Sequence, residues 1–177
     1  MISKSKLRKR LTNKEGMLFF DGRRVVLMNH EYTAQMYIQL KKIIGPPAKT
    51  ILYEAAKKST KKVGAHLFKR GFLEKALLKT MAGKKKIIEI MLAEYWPYHG
   101  FGYGKLISFS KEEIVLRIWN NTYSAYSKKD FEELGAFTDV AIIEASIELV
   151  MNKPYRAIET RSTLRGDPYC EIHLFPK

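Results

Sequence analysis

The residues with most chemical potential lie in the last segment of the chain, "ETRSTLRGDPYCEIHLFPK". Within twelve positions it holds Glu159, Ser162 and Cys170, the chain's only cysteine. Carboxylate and thiolate groups are zinc ligands, so a metal site is one interpretation. A structural zinc site needs four ligands, however, and a neutral serine hydroxyl is an inadequate substitute for a thiolate or an imidazole.

The same segment is also typical of a terminal hairpin. "YRAIETRS" and "YCEIHLF" are predicted as two strands that the loop Gly166-Asp167-Pro168 joins. Strand alternation then places Cys170, Ile172 and Leu174 on one inward face and His173 on the other. A lone buried cysteine usually behaves as a small apolar residue, so we favour the hairpin over the metal site.

The spacing of Glu159, Ser162, Gly166-Asp167 and Cys170 resembles the closing motif of the 4-vinyl-reductase domain family, in which cysteine usually stands at the position of Ser162. The resemblance continues through "GRRVVLM", "GPPAKTILYEAAKKSTKKVG", "GFG" and "LGAFTDVAI" and covers about residues 17 to 177. It implies a ligand-binding fold shared with haem-based nitric-oxide sensors and with subunits of the Golgi vesicle-tethering complex (TRAPP), and a homodimer.

Some members of that family bind zinc, and the resemblance maps their four ligand positions onto Ala136, Glu159, Ser162 and Cys170. Only the glutamate and the last cysteine are retained in this sequence. Alanine has no donor atom and a neutral serine hydroxyl is a poor one, so we expect that the zinc site is lost. No other cofactor is expected.

Aromatic side chains concentrate near the predicted transition from helices to sheet. The resemblance implies a ligand cavity between these layers, and apolar, aromatic walls are typical of such cavities. The predicted ligand-binding residues are Trp96, Phe101, Tyr103, Trp119, Tyr123 and Phe137. The alternative is that each ring is an ordinary member of the core.

The sequence gives little reason to predict an enzyme. "GFGYG" at residues 100 to 104 lacks the third glycine of a dinucleotide fingerprint and leads into a strand rather than a helix. No phosphate-binding loop, nucleophile elbow or paired metal-binding histidines are present. Reduction of a vinyl group, which the family name suggests, therefore ranks last among the functions considered.

The positive charge is concentrated in the first half of the chain. The net charge is +14; residues 1 to 90 hold 22 Lys and Arg against 6 Asp and Glu, and residues 91 to 177 hold 10 against 12. Such a surface could bind nucleic acid or an anionic membrane surface, or it could be a solvated face. The candidate residues are Lys57, Lys58, Lys61, Lys62, Lys69 and Arg70.

The order of predicted elements is hairpin, helices, hairpin, helix, hairpin. This order predicts an α+β fold with a mainly antiparallel sheet covered by helices. Residues 1 to 16 are interpreted as a basic leader and residues 17 to 177 as a single ligand-binding domain. "MLFF" and "RRVVLM" flank a two-residue turn, and one long helix or two short helices meeting at Gly83 are predicted in the middle of the chain.

Composition indicates a cytoplasmic protein. Apolar runs of about four residues are too short for a transmembrane segment, and the basic N-terminal stretch has no apolar segment of the kind that signal peptides contain. Abundant lysine and only two glutamines suggest an archaeal or thermophilic source.

The leading functional hypothesis is a non-enzymatic sensor or carrier of a small hydrophobic ligand. The alternatives are a basic interaction module and a scaffold like the vesicle-tethering subunits.

Overall fold

A computed structural model describes most of the chain. The described residues are 11–20, 23–25, 30–69, 77–98, 100–121 and 137–177. The chain divides into two compact units, residues 1–37 and residues 38–177. Each unit is described by itself.

The first unit contains a three-stranded antiparallel sheet. Its strands are β1 (Leu11–Lys14), β2 (Met17–Phe20) and β3 (Arg23–Val25), in that order. The predicted pairing of β2 with β3 is confirmed. The sequence did not predict β1, which falls within the segment interpreted as a leader; Glu15 and Gly16 turn the chain between β1 and β2 with φ values of 51° and 78°. The single-domain boundary at residue 17 stays a prediction.

Helices form the middle of the chain, as predicted. They are α1 (His30–Ile44), α2 (Pro47–Lys69), α3 (Met81–Ile90), α4 (Trp96–Tyr98) and α5 (Phe137–Met151). Gly45 ends α1 with a φ of 68°, a conformation that glycine adopts readily. Among the described residues, no helix is both long enough and apolar enough to cross a membrane.

The break expected at Gly83 lies three residues earlier. A short 3₁₀ turn (Leu77–Lys79) precedes α3, and the side chain of Thr80 caps the helix by accepting a hydrogen bond of 3.0 Å from the Gly83 amide. Gly83 therefore lies inside the first turn of the helix. A Cβ atom at this position would lie 2.0 Å from the Leu77 carbonyl oxygen, so the glycine permits a close backbone approach rather than a break.

The second unit is built on a four-stranded antiparallel sheet. Its strands are β4 (Tyr103–Phe109), β5 (Ile114–Trp119), β6 (Tyr155–Arg161) and β7 (Cys170–Pro176). Their spatial order is β4-β5-β7-β6, so β4 and β6 are the edges. The predicted α+β class, the β4–β5 hairpin and the terminal β6–β7 hairpin are all confirmed.

Strand alternation separates an inner face of this sheet, packed against helices, from an outer face. On β5 the inner residues Ile114, Leu116 and Ile118 are at most 1% exposed. Their antiparallel partners on β7 are Leu174, Ile172 and Cys170. The apolar α5 contributes to the same core, where side chains such as Ile143 and Ile147 are nearly inaccessible to solvent. The inner face of the sheet and α5 thus form the main hydrophobic core.

Candidate functional site

The terminal hairpin places its cysteine in the core, as predicted. Cys170 is 1% exposed and lies in register with Ile118 on the inner face, while His173 faces the opposite side. Ser162 is also fully buried, and its amide donates a 2.8 Å hydrogen bond to Asp167 Oδ2. Gly166 takes a φ of 98° in the loop between the strands. The motif residues therefore shape a tight, buried turn.

Polar groups surround the Cys170 sulfur. Asn121 Nδ2 donates to Sγ at 3.0 Å and the Thr163 amide donates at 3.5 Å, while Ser162 Oγ lies 4.0 Å away. Burial raises the pKa of the Cys170 thiol to about 11, although the hydrogen bonds from Thr163 and Ser162 act in the opposite direction. A thiol with so high a pKa is predominantly neutral at physiological pH, which makes it a weak nucleophile.

Two carboxyl groups, the buried Asp139 and the partly exposed Glu159, accompany this cluster. Asp139, in the first turn of α5, is 2% exposed and its Oδ2 has no hydrogen-bond partner in the described part of the chain. Burial, with a smaller contribution from the nearby Glu159 carboxylate, raises the pKa of Asp139 to about 8. Glu159 Oε2 lies 3.7 Å from Arg165 Nη1. Sequence reasoning missed Asp139, although an acid in such an apolar helix was a visible signal.

The donor set does not fit a zinc ion. Across the described residues, no group of three or more His, Cys, Asp and Glu side chains is placed to hold a metal. The groups with donor atoms of the right type near the hairpin turn are the Cys170 thiol and the carboxyls of Asp139 and Glu159, and burial raises the pKa of the first two. Ala136 lies outside the described residues. The loss of the zinc site, inferred from Ser162 and Ala136, stays a prediction for metal analysis.

The helix-to-sheet transition builds an apolar interior around Trp96. The indole is 3% exposed, its Nε1 donates to the Phe101 carbonyl at 2.6 Å, and the two rings lie 5.2 Å apart between centroids. A cavity of about 10 Å³ lies beside the indole. Its walls are Ile88, Met91, Leu92, Trp96, Leu116, Ile143, Ser146 and Ile147. This space is apolar except for one serine and has room for about one water molecule.

The last turns of the helical segment depart from α-helical geometry at this cavity. Residues Met91–Tyr95 form a π-helical turn between α3 and α4. Turns of this kind are uncommon and occur frequently at functional sites. Met91 and Leu92 from the turn border the cavity, so a rearrangement of the turn would change the volume of the cavity directly.

The structure does not bring all predicted ligand-binding residues together. Trp96 borders the cavity, Phe101 packs on Trp96, and Phe137 is buried at the start of α5. Tyr103 and Trp119 lie instead on the outer face of the sheet, because they alternate with the inner residues of β4 and β5. This placement corrects the expectation that all the rings share one pocket; Tyr123 lies outside the described residues.

The lysine face of α2 is placed differently from the prediction. Lys57, whose side chain is 13% exposed, forms ion pairs with Glu144 and Glu148 of α5, and its Nζ lies 3.0 Å from Glu148 Oε1. Lys61 Nζ lies 2.7 Å from Glu148 Oε2. Burial lowers the pKa of Lys57, but its hydrogen bonds to the two carboxylates outweigh burial and raise it. These two lysines therefore neutralise internal acids.

The two glutamates also cover an edge of the sheet. Glu144 Oε2 accepts hydrogen bonds from the Ala157 amide at 2.7 Å and from Tyr53 Oη at 2.8 Å, and Glu148 Oε1 accepts from the Tyr155 amide at 3.2 Å. Burial raises the pKa of both carboxyls, but the cationic and amide donors outweigh it and hold both pKa values below the usual range. Two amides of the edge strand β6 are thereby satisfied and unavailable to another strand.

The other predicted basic residues are less enclosed. Lys58 and Lys62 are both exposed on α2. The side chain of Lys69 and all of Arg70 lie outside the described residues. Binding of nucleic acid or of an anionic surface by these lysines stays a prediction. Because Lys57 and Lys61 form ion pairs with α5, the exposed Lys58 and Lys62 are the better candidates.

A scan against protein-family models finds no match, and a search of the curated proteins also finds none. Solved structures with the same fold do exist. One is the phenol-responsive sensory domain of the transcription activator PoxR with phenol, at a TM-score of 0.75 and 13% identity, covering 97% of this chain and 87% of that chain.

Two further solved structures extend the comparison. A trafficking protein particle complex subunit 3 from Naegleria fowleri, covalently bound to palmitic acid, has a TM-score of 0.63 and 16% identity, covering 84% of this chain and 95% of that chain. A vinyl-4-reductase family protein from Methanocaldococcus jannaschii has a TM-score of 0.53 and 16% identity, covering 86% of this chain and 84% of that chain. The fold predicted from the terminal motif is therefore confirmed.

Proposed function

We propose that this chain is a non-enzymatic domain that binds a small hydrophobic molecule between the helices and the inner face of the sheet, and acts as a sensor or carrier. The fold supports the proposal, because two proteins that share it are described with phenol and with palmitic acid bound. Fold alone does not assign a ligand, so the argument depends on the interior of this chain.

The observation that carries the proposal is the apolar cavity beside the π-helical turn. Ser146 is among the lining residues, but the surface that faces the cavity is entirely apolar, which suits an apolar ligand. The cavity of about 10 Å³ is far smaller than the ~150 Å³ cavity that accommodates benzene in an engineered protein. Binding therefore requires the cavity to open.

The π-helical turn provides a way to open it. Met91 is flexible and lies on the turn, so its side chain can move without rebuilding the sheet. Because only open molecules bind the ligand, the apparent affinity is the intrinsic affinity multiplied by the fraction of molecules that are open. Ligand binding is thereby coupled to a change in the helical layer. Such coupling suits a sensor. A homodimer, expected from the family resemblance, would transmit the change to a partner.

The test is binding of two probes, phenol and hexadecanoic acid, measured by native mass spectrometry and by tryptophan fluorescence. The chain has two tryptophans, and only Trp96 borders the cavity. We therefore use a Trp119→Phe background, in which all tryptophan emission comes from Trp96. Binding of either probe should produce a retained adduct and a saturable change in that emission.

A cavity-filling variant provides the specific control. Ser146→Leu should abolish both the adduct and the fluorescence change, because the larger side chain takes the volume that a ligand would occupy once the cavity opens. Ser59→Leu makes the same substitution at an exposed position of α2 and should leave binding intact. Equal binding by Ser146→Leu and the parent protein, or failure of both probes to bind at saturating concentrations, would contradict the proposal.

A further inference from the structure

The outer face of the four-stranded sheet carries an aromatic row. Tyr103 on β4 and Trp119 on β5 are antiparallel partners, and their rings stack with centroids 5.1 Å apart and an interplanar angle of 8°. Tyr169, immediately before β7, adds a third ring 5.6 Å from Trp119. Tyr103 remains 47% exposed. A stacked aromatic row at an accessible surface is more typical of a recognition site than of a solvated face.

A basic row lies beside the aromatic row. Lys105 of β4 pairs with Arg117 of β5, Arg117 pairs with Glu171 of β7, and Glu171 pairs with Arg161 of β6. This cross-strand row therefore holds three cations and one carboxylate. Lys105 and Arg161 are exposed. The row attracts anions even though the second half of the chain as a whole is slightly acidic.

The aromatic and basic rows are joined at one ring. The Arg117 guanidinium lies 4.6 Å and the Arg161 guanidinium 5.6 Å from the centroid of the Tyr169 ring. Arg117 Nε also donates to Glu171 Oε2 at 2.7 Å, which leaves its terminal amino groups available for a further anion. Glu171 thus orients one arginine without neutralising the whole row.

The combination of rows indicates what could bind. Aromatic rings with adjacent cations on an open sheet surface stack unpaired bases and hold the backbone phosphates between them. Residues two positions apart on a strand are roughly 7 Å apart, so the two rows match a base and the phosphate of the same nucleotide. A duplex would keep its base faces inaccessible to these rings, and this surface has no helix to enter a groove.

We propose that the surface formed by Tyr103, Trp119 and Tyr169 with Lys105, Arg117 and Arg161 binds single-stranded nucleic acid without strong sequence preference. Tyr103 stacks on a base, and the three cations contact phosphates. This surface is distinct from the apolar cavity on the other side of the sheet and from the lysines of α2. The inference therefore does not depend on the proposed ligand.

The first experiment measures binding of a fluorescein-labelled dT12 probe by fluorescence anisotropy from 50 to 200 mM salt. Tyr103→Ala should weaken binding about 5- to 150-fold, because one base loses its stacking partner. Lys105→Gln should weaken binding and reduce the salt slope by about 0.7, as expected when one phosphate contact of a single strand is lost. Lys49→Gln, at an exposed position of α2 that belongs to neither candidate surface, makes the same charge change and should have less than a twofold effect.

A spectroscopic readout locates the probe independently. In Trp96→Phe the only tryptophan emission comes from Trp119 on the outer face, and dT12 should quench it. In Trp119→Phe the emission comes from buried Trp96 and should not change. Quenching confined to Trp119 supports the proposal, and because both substitutions are conservative the readout does not depend on an alanine variant that fails to fold.

Several results would overturn the proposal. These are unchanged affinity in Tyr103→Ala, an equal loss of affinity in Lys49→Gln and Lys105→Gln, tighter binding of the matching duplex than of dT12, or no binding at 50 mM salt. The outer face could instead pair with a second copy of the chain. In that case sedimentation velocity would show a concentration-dependent dimer that Tyr103→Ala disrupts, while dT12 fails to bind.

Discussion

Replacing Lys57 with methionine should destabilise the protein much more than the same change at Lys61. Methionine retains most of the length of the lysine side chain but removes its charge, so packing changes little. Lys57 is the only one of the two that contacts both Glu144 and Glu148. Its loss leaves two carboxylates, one turn apart on α5 and at most 7% exposed, without their shared cation. Lys177, half exposed and 3.7 Å from Glu144 Oε1, is a weaker substitute.

The magnitude follows from this burial. Removing one partner of a buried ion pair costs about 3–5 kcal/mol, because the remaining charge stays desolvated. Lys61 is 48% exposed, so Lys61→Met should cost only about 0–1 kcal/mol. Lys57→Met combined with Glu144→Gln should recover part of the loss, because the glutamine oxygen can still accept from the Ala157 amide and from Tyr53.

The dependence on pH provides a sharper test than the magnitude alone. In the parent protein the pKa values of Glu144 and Glu148 are depressed, so their stabilisation is present above the unfolded value near 4.5 and is lost as the pH falls through the folded values. In Lys57→Met, burial without the cation raises these pKa values, and stability then falls as the pH rises. The difference between the two proteins should therefore be larger at about pH 7 than at about pH 4, and it becomes small only below the depressed folded values of the parent protein.

Urea denaturation followed by circular dichroism at both pH values measures these differences. The reasoning would be refuted if Lys57→Met lowered the free energy of unfolding by less than about 1 kcal/mol at neutral pH, or if it lowered that free energy equally at both pH values. Either result would mean that solvent screens the Lys57 ion pairs as it screens those at an exposed surface.

Three further predictions concern single titrating groups. Asp139→Asn should stabilise the protein at pH 7 by up to roughly 4 kcal/mol, because the folded pKa of Asp139, about 8, lies far above the unfolded value of 3.8 and the parent protein loses stability as the pH rises between them. Urea denaturation from pH 4 to 8 should show that the gain in the free energy of unfolding increases with pH. Burial lowers the pKa of His173, but hydrogen bonds to Glu113 at 2.7 Å and Glu171 at 3.3 Å outweigh burial and raise the pKa above 6.5. The stability that protonated His173 contributes is complete below pH 6.5 and is lost as the pH rises through the folded pKa. His173→Gln should remove that loss from the pH profile of the free energy of unfolding. Cys170, 1% exposed with a pKa raised to about 11, should react with a thiol reagent at pH 7.5 only as fast as the protein unfolds, and rapid labelling of the native protein would contradict its burial.

The elements that were predicted correctly are those whose signals are local. Alternation in "EIVLRIWN" and "YCEIHLF" identified strands, and it placed Cys170 and Ile172 inward because apolar residues recur there at every second position. The same rule, applied to β5, assigns Arg117 and Trp119 to the outer face. That signal was available in the sequence, and grouping the aromatics by proximity along the chain obscured it.

The ion pairs of Lys57 could not be derived in the same way. Lys57 and Glu144 are separated by 87 positions, and nothing in the local pattern of either helix specifies the other. Glu144 and Glu148, four residues apart in a largely apolar helix, do indicate that cationic or hydrogen-bonding groups must compensate these two buried acids. Which lysines provide the compensation depends on how α2 packs on α5, and that packing is a tertiary property.

This arrangement changes how the basic charge of the chain should be interpreted. Helix α2 has many lysines, yet Lys57 and Lys61 form ion pairs with carboxylates of α5. One of these carboxylates, that of Glu144, also accepts a hydrogen bond from a backbone amide of the edge strand β6. The basic row on the outer face contains fewer cations, but it holds a single carboxylate, Glu171, and its Arg117 and Arg161 lie over the Tyr169 ring. Affinity for a polyanion depends on the cations that remain able to reach it and on the groups beside them, which is why we propose that a nucleic-acid strand binds the less basic half of the chain.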